Sequence, residues 1–230
     1  MTRPTKIVLL TSASMALVAS ALSAPTFAQD TKLESDDAKV SYGLGMMIGE
    51  RILKQYGDVD YDLLMEGMKA QKAGEETLIS MDEAQVALQA KQQKEAEMAS
   101  MAAKEKGAMF LEENKARDGV SVTDSGLQYE VITASDGAKP GIDDTVSVHY
   151  VGTLMDGTEF DSSIARGEPA SFPLKGVIPG WTEGLQLMNV GSKFRFVIPS
   201  DLAYGDRGAG QQIGPGETLI FEVELLEIKS

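Results

Sequence analysis

Cysteine is absent from this chain, and histidine and tryptophan occur once each. Without cysteine there is no thiol nucleophile, no disulfide and no thiolate-bound zinc or iron–sulfur site. A single histidine, His149, cannot supply a cluster of imidazole metal ligands. Basic residues are scarce as well, 21 against 35 acidic, for a formal charge of −14. Binding to nucleic acid depends on clustered Lys and Arg that release counterions from phosphate. Nucleic acid is therefore excluded as a partner, which leaves proteins and small molecules. What the chain does have is 230 residues, 43% of them apolar, enough for one large or two modest domains with buried cores.

The first 28 residues are expected to be an export signal. MTRPTK carries two positive charges, the uncharged apolar stretch IVLLTSASMALVASALSA follows, and Thr26 and Ala28 offer small residues at the −3 and −1 positions of a cleavage site. The alternative is a retained single-span anchor, for which this stretch is about the minimum length. Cleavage after Ala28 removes Arg3 and Lys6, leaving 19 basic residues against 35 acidic and a mature charge of −16. The product is expected to have no further membrane span and to be soluble in an oxidising compartment, where it needs no disulfide.

From residue 29 to about 118 the pattern is helical. Val40, Leu44, Met47 and Ile48 fall at i, i+4, i+7 and i+8, and Gly57 closes that segment. Asp60 caps a second helix that stops at Gly74, and SMDE at Ser80 is a capping box for a third. If continuous to Gly119, the third helix has about 37 residues and a length of about 55 Å. Its middle, KQQKEAEMASMAAKEK, is polar, and a heptad count soon puts Lys91, Glu95 and Glu105 on the seam, which argues against a long coiled coil. A solvated rod between two domains is expected. GLGMMIG follows polar residues rather than a strand and has the wrong glycine spacing for a dinucleotide site. It is read as a small-residue helix face, with Met46, Met47, Met65 and Met68 filling a core or forming a dimer interface.

After Gly119 the period changes to two. GLQYEVITAS, TVSVHYVGTL, KFRFVIPS and ETLIFEVELLEI alternate apolar and polar residues between turn signals, and SFPL adds a short strand. One short helix, with Trp181, Leu185 and Met188 on one face, interrupts them. The fold class expected is α+β: an antiparallel sheet wrapped on one short helix, preceded by an all-α domain and a long connecting helix. The domains are 1–28 (signal), 29–79 (helical), 80–118 (connecting helix) and 119–230 (sheet domain).

Four separated motifs with their spacing kept, DTVSVHYVGTLMDGTEFDSS, VIPGWTEGLQLMNVGSK, DLAYGDRG and ETLIFEVELLEI, resemble an FKBP-type peptidyl-prolyl isomerase domain from about Ser121 to Lys229. The helical half resembles the N-terminal domain of the macrophage-infectivity-potentiator-like periplasmic members, in which short helices dimerise and a long helix holds the catalytic domains apart. The resemblance implies a proline pocket lined by Tyr150, Phe160, Val177, Ile178, Trp181, Tyr204, Ile213 and Phe221. Trp181 is its floor and Asp161 a polar wall group paired with Arg166. The Ile178 amide and the Tyr204 hydroxyl donate to substrate carbonyls. It also implies unfolded or proline-containing protein clients, a homodimer, macrolide inhibitor binding and no cofactor or metal. Two positions depart from the family: Ala170 stands where an aromatic often precedes Phe172, and DRGAGQQIG has no histidine or proline at its tip. A non-catalytic chaperone that uses the same pocket for docking is the alternative.

The residue types suit that chemistry. An Xaa–Pro bond turns over a barrier of about 18–20 kcal/mol, in tens to hundreds of seconds unaided. No bond breaks, so no nucleophile is needed, and a twisted amide that has lost its charge separation is favoured by an apolar pocket. A gain of about 10⁵ in rate corresponds to about 7 kcal/mol. Burying about 100 Å² of prolyl ring supplies only about 2.5 kcal/mol, shared with the ground state, so amide desolvation and oriented donors supply the rest. Trp181, in the first turn of its helix, is expected to be incompletely buried, its exposed face being the pocket floor. Asp161 could instead only cap the turn at DSS. His149 is directed by alternation to the face opposite Tyr150 and has no catalytic part. GDRGAG lacks the Lys-Ser/Thr of a phosphate loop, and Asp136, Asp143 and Asp144 lack calcium-hand spacing.

Overall fold

The computed structural model describes residues 33–229. The expected export signal, residues 1–28, lies outside them. The chain divides into two compact units, Met1–Leu78 and Ile79–Ser230. No helix among the described residues is long and apolar enough to cross a membrane.

The first unit holds two helices, α1 (Asp36–Arg51) and α2 (Tyr61–Ala73). Ser35 caps α1 by accepting from the Ala38 amide, and Asp60 caps α2 by accepting from the amides of Asp62 and Leu63. These side chains satisfy amides that the first helical turn leaves without partners. Gly74 ends α2 in the left-handed conformation at φ 69°. α1 ends ahead of Gly57, and a 3₁₀ turn at Leu53–Gln55 fills the gap. Neither helix has a buried residue, and Val40, Met46, Tyr61 and Leu63 are each more than half exposed.

The second unit opens with α3 (Met81–Lys115), 35 residues and about 52 Å long. Its capping box is complete: the Ser80 amide donates to Glu83 Oε2 at 2.8 Å and the Glu83 amide to Ser80 Oγ at 3.2 Å. Only the first part of the helix, before Ser100, has no buried residue. Ser100, Gly107 and Asn114, seven residues apart, are buried against the rest of the unit. A Cβ on Gly107 would collide with Thr218. Asn114 Nδ2 donates to Gln128 Oε1 at 2.7 Å, and Gln128 Nε2 returns a bond to the Leu111 carbonyl at 2.9 Å. Small and polar residues form this docking stripe, so no hydrophobic period marks it.

Seven strands make one antiparallel sheet: β1 (Val120–Val122), β2 (Gln128–Thr133), β3 (Thr145–Leu154), β4 (Glu159–Ser162), β5 (Ala170–Pro173), β6 (Lys193–Ile198) and β7 (Leu219–Lys229). The order is β1-β2-β6-β7-β3-β4, with β5 also on β3. Alternation puts Leu219, Phe221, Val223 and Leu225 of β7 and Phe194, Phe196 and Ile198 of β6 into the core. A one-turn helix, α4 (Ser163–Arg166), follows β4. The helix α5 (Pro179–Leu187) lies on the core side, started by Pro179, whose missing N–H costs nothing at the first helical position. Gly180 and Gly184, one turn apart, let it settle on β6: a Cβ on Gly184 would lie 2.7 Å from Phe196 Cε1, and one on Gly180 would strike Ile198. That close approach presses Trp181 down against the sheet.

Candidate active site

Between α5, the inner face of β3 and β7, and the loop joining β6 to β7 lies a half-open pocket of about 640 Å³. Tyr150, Phe160, Asp161, Val177, Ile178, Trp181, Tyr204, Ile213 and Phe221 line it, so every residue expected to wall the pocket meets there. Arg166 does not line it and stands behind Asp161. Phe172, Gly176, Ala209, Gly210, Gln211 and Gln212 complete the lining and were not foreseen. Phe172 was legible in part, since alternation in ASFP turns it to the same side as its register partner Val146, which is fully buried.

The floor is an aromatic box. Trp181 meets Tyr150 (5.1 Å between ring centroids, 89°), Phe221 (5.2 Å, 78°) and Phe172 (5.5 Å, 90°), all near-perpendicular. Edge-to-face pairs of this kind add about 0.5–1.5 kcal/mol beyond the area they bury. Gly152 of β3 makes room, since a Cβ there would lie 2.7 Å from Phe160 and 2.8 Å from Phe221. Contrary to expectation, Trp181 is only 4% exposed. Helix position alone suggested a wet ring, but Gly180 and Gly184 sink the first turn until three rings close around the indole. Its buried Nε1–H has no hydrogen-bond partner among the described residues.

One wall is polar. The Tyr150 hydroxyl donates to Asp161 Oδ2, Arg166 Nη1 donates to Asp161 Oδ1, and Arg166 Nη2 donates to the Tyr150 oxygen at 2.9 Å. The guanidinium also lies 5.5 Å from the Tyr150 ring centroid, within cation–π range. Ser162, not Asp161, caps α4, accepting from the Ala165 amide at 3.1 Å, which leaves Asp161 to the pocket. Partial burial opposes ionisation of Asp161, but the bonds from Tyr150 and Arg166, with the guanidinium charge, outweigh it and hold the carboxyl below its usual range. Burial, with the bond to Asp161, pushes the Tyr150 phenol up. His149 is turned away and bonds Ser163 Oγ at 3.1 Å.

The opposite rim supplies donors. The Ile178 carbonyl starts α5 by accepting from the Trp181 and Thr182 amides at 2.9 and 3.0 Å, while its own N–H has no backbone acceptor among the described residues. Tyr204, 40% exposed, has no partner for its hydroxyl there either. The site is thus a greasy, ring-walled cleft with one clamped carboxylate and two unpaired donors, and it contains no nucleophile–base pair.

Sheet, helix and cleft together define a prolyl isomerase class. Residues 137–226 match the family of FKBP-type peptidyl-prolyl cis-trans isomerases, and residues 37–131 match the domain found amino-terminal to them. The chain belongs to this family and is a peptidyl-prolyl cis-trans isomerase. It is 43% identical over 231 residues to the outer membrane protein MIP of Legionella longbeachae, covering 97% of this chain and 98% of that one. It is 44% identical over 213 residues to the FKBP-type 22 kDa peptidyl-prolyl cis-trans isomerase of Escherichia coli (strain K12), covering 90% and 100%. The crystal structure of FkpA from Escherichia coli superimposes with a TM-score of 0.69 at 40% identity, over 85% of this chain and 98% of that one. The helical N-terminal unit followed by a sheet with one helix is common to both.

Proposed function

We propose that this isomerase acts as a foldase on proline-containing, incompletely folded proteins in the periplasm, after removal of residues 1–28. The prolyl ring sits over Trp181 within the box of Tyr150, Phe160, Val177, Ile213 and Phe221. The Ile178 N–H and the Tyr204 hydroxyl donate to substrate carbonyls that flank the prolyl bond, and Asp161, fixed by Arg166 and Tyr150, forms the polar wall. The planar amide carries charge separation that water solvates, and the ring-walled cleft withdraws that solvation. The twisted amide loses less on entry, so the cleft favours the transition state over the ground state. The observation that carries this assignment is the pairing of an apolar aromatic floor with two donors left without partners at the rim.

Further proposals complete the picture. Residues 29–79 form a dimerisation domain, 80–118 a connecting helix and 119–230 the catalytic domain. The dimer adds chaperone activity by holding clients between two catalytic units. An apolar macrolide suits the same cleft. A protease-coupled assay on a proline peptide tests the central assignment. Tyr204→Phe removes one donor and should lower kcat/KM about threefold to tenfold. Asp161→Val, which takes the carboxylate away from both Arg166 and Tyr150, should lower it about tenfold. Wild-type rates in both variants would refute the pocket as the site.

A further inference from the structure

The loop between β6 and β7 carries Tyr204 and the rim from Ala209 to Ile213, and it lies outside the sheet. It holds two short 3₁₀ turns, Ser200–Leu202 and Gly205–Arg207, and a few further backbone bonds. The Gly216 amide donates to the Gly205 carbonyl at 2.9 Å, closing the base, and Ala209 and Ile213 exchange backbone bonds at 2.9 and 3.2 Å near the tip. The outer edge of the loop rests on one turn of α3. Ser100 Oγ donates to Asp206 Oδ1 at 2.7 Å, and Lys104 Nζ pairs with the same oxygen at 2.7 Å and with Asp201 at 3.4 Å. A Cβ on Gly216 would lie 2.5 Å from the Ser100 carbonyl oxygen, and its φ of 77° suits glycine. Helix backbone and loop base are therefore in direct contact.

Ser100 is also where α3 first becomes buried, since no residue of Met81–Ala99 is buried among the described residues. The helix thus arrives at the catalytic unit at the loop that holds Tyr204, and only later reaches Thr218 through Gly107 and Gln128 through Asn114. We infer that the Ser100–Lys104 turn of α3 is a positioning element of the isomerase site, which holds the Tyr204 loop in place through Asp206 and Gly216. Ser100 and Lys104 touch no substrate; they act through Asp206, two residues beyond Tyr204. Without Lys104 the loop carboxylates Asp201 and Asp206 lose the cation that ties them to the helix, and only the Ser100 bond to Asp206 remains. The shifts of the pair agree with this grip: the bond to Asp206 raises Lys104, and the bond from Lys104 lowers Asp206. A displacement of the free stretch of α3 reaches the pocket by the same route.

This inference rests on the pocket being the site of isomerisation. The test uses the full chain with Lys104→Met and Ser100→Ala, with Lys106→Met on the exposed face of α3 as the control. Amide hydrogen exchange and peptide-isomerase kinetics are both measured. The expected result is exchange about threefold to tenfold faster at Ala209, Ile213 and Gly216, unchanged exchange in β3 and β7, and a kcat/KM lowered about twofold to fivefold. Lys104→Arg should restore both readouts. Exchange and kinetics equal to wild type, or exchange accelerated throughout β3 and β7, would overturn the inference. A wild-type rate at background would instead defeat the pocket assignment, and the exchange data would still decide whether the helix holds the loop.

Discussion

Asp161 shares one carboxylate between a phenol and a guanidinium, and its behaviour with pH follows from that. Its acidity is strengthened in the folded state, so what the ionised group contributes is present above its unfolded value and is lost as pH falls through the lower, folded value. Tyr150 is shifted the other way and keeps its proton above the usual phenol range. The Asp161–Tyr150–Arg166 arrangement should therefore persist across neutral pH. We expect kcat/KM to be flat from about pH 5.5 to about pH 9 and to decline only in acid below the ordinary carboxylate range. A pH profile with a step near neutrality would contradict this. The family resemblance of four motifs foretold nine of the residues that line the pocket, because aromatic and donor residues had kept their spacing, but not Phe172 or the loop residues 209–212. It did not foretell the depth of Trp181, which depends on two glycines whose significance appears only when the helix meets Phe196 and Ile198.

At the level of elements, α5 is a short helix placed by what it lacks. Gly184→Ala puts a methyl group into the Phe196 ring, at 2.7 Å, in a core where overpacking costs about 1–3 kcal/mol. The expected outcome is a lower thermal midpoint together with lost activity, since Trp181 must rise with the helix; an unchanged midpoint would show that the sheet accommodates the methyl. The strands β2, β3, β6 and β7 were readable because each is long enough, at six residues or more, for a run of apolar and polar residues in alternation to show in the sequence. β1 and β4, at three and four residues, are too short to carry a period. α3 was readable as a helix, but its docking stripe of Ser100, Gly107 and Asn114 was not. Hydrogen bonding and backbone approach make that contact, and no apolar repeat announces it.

Across the whole molecule, the two units differ in kind. The catalytic unit closes a core of fully buried side chains, while α1 and α2 leave Val40, Leu44, Met46, Leu63 and Met65 about half or more exposed. Apolar surface of that extent on two short helices calls for cover, which supports the proposed dimer. Sedimentation should find the mature chain dimeric and a chain starting at Ile79 monomeric; a monomeric mature chain would remove the dimer. The single indole of the chain lies wholly within the catalytic unit, boxed by three rings. Its emission is therefore a native optical label for the cleft alone, whereas helical circular dichroism draws mainly on α1, α2 and α3. Melting curves recorded by the two signals separate the unfolding of the cleft from that of the helices, without a dye or an added residue.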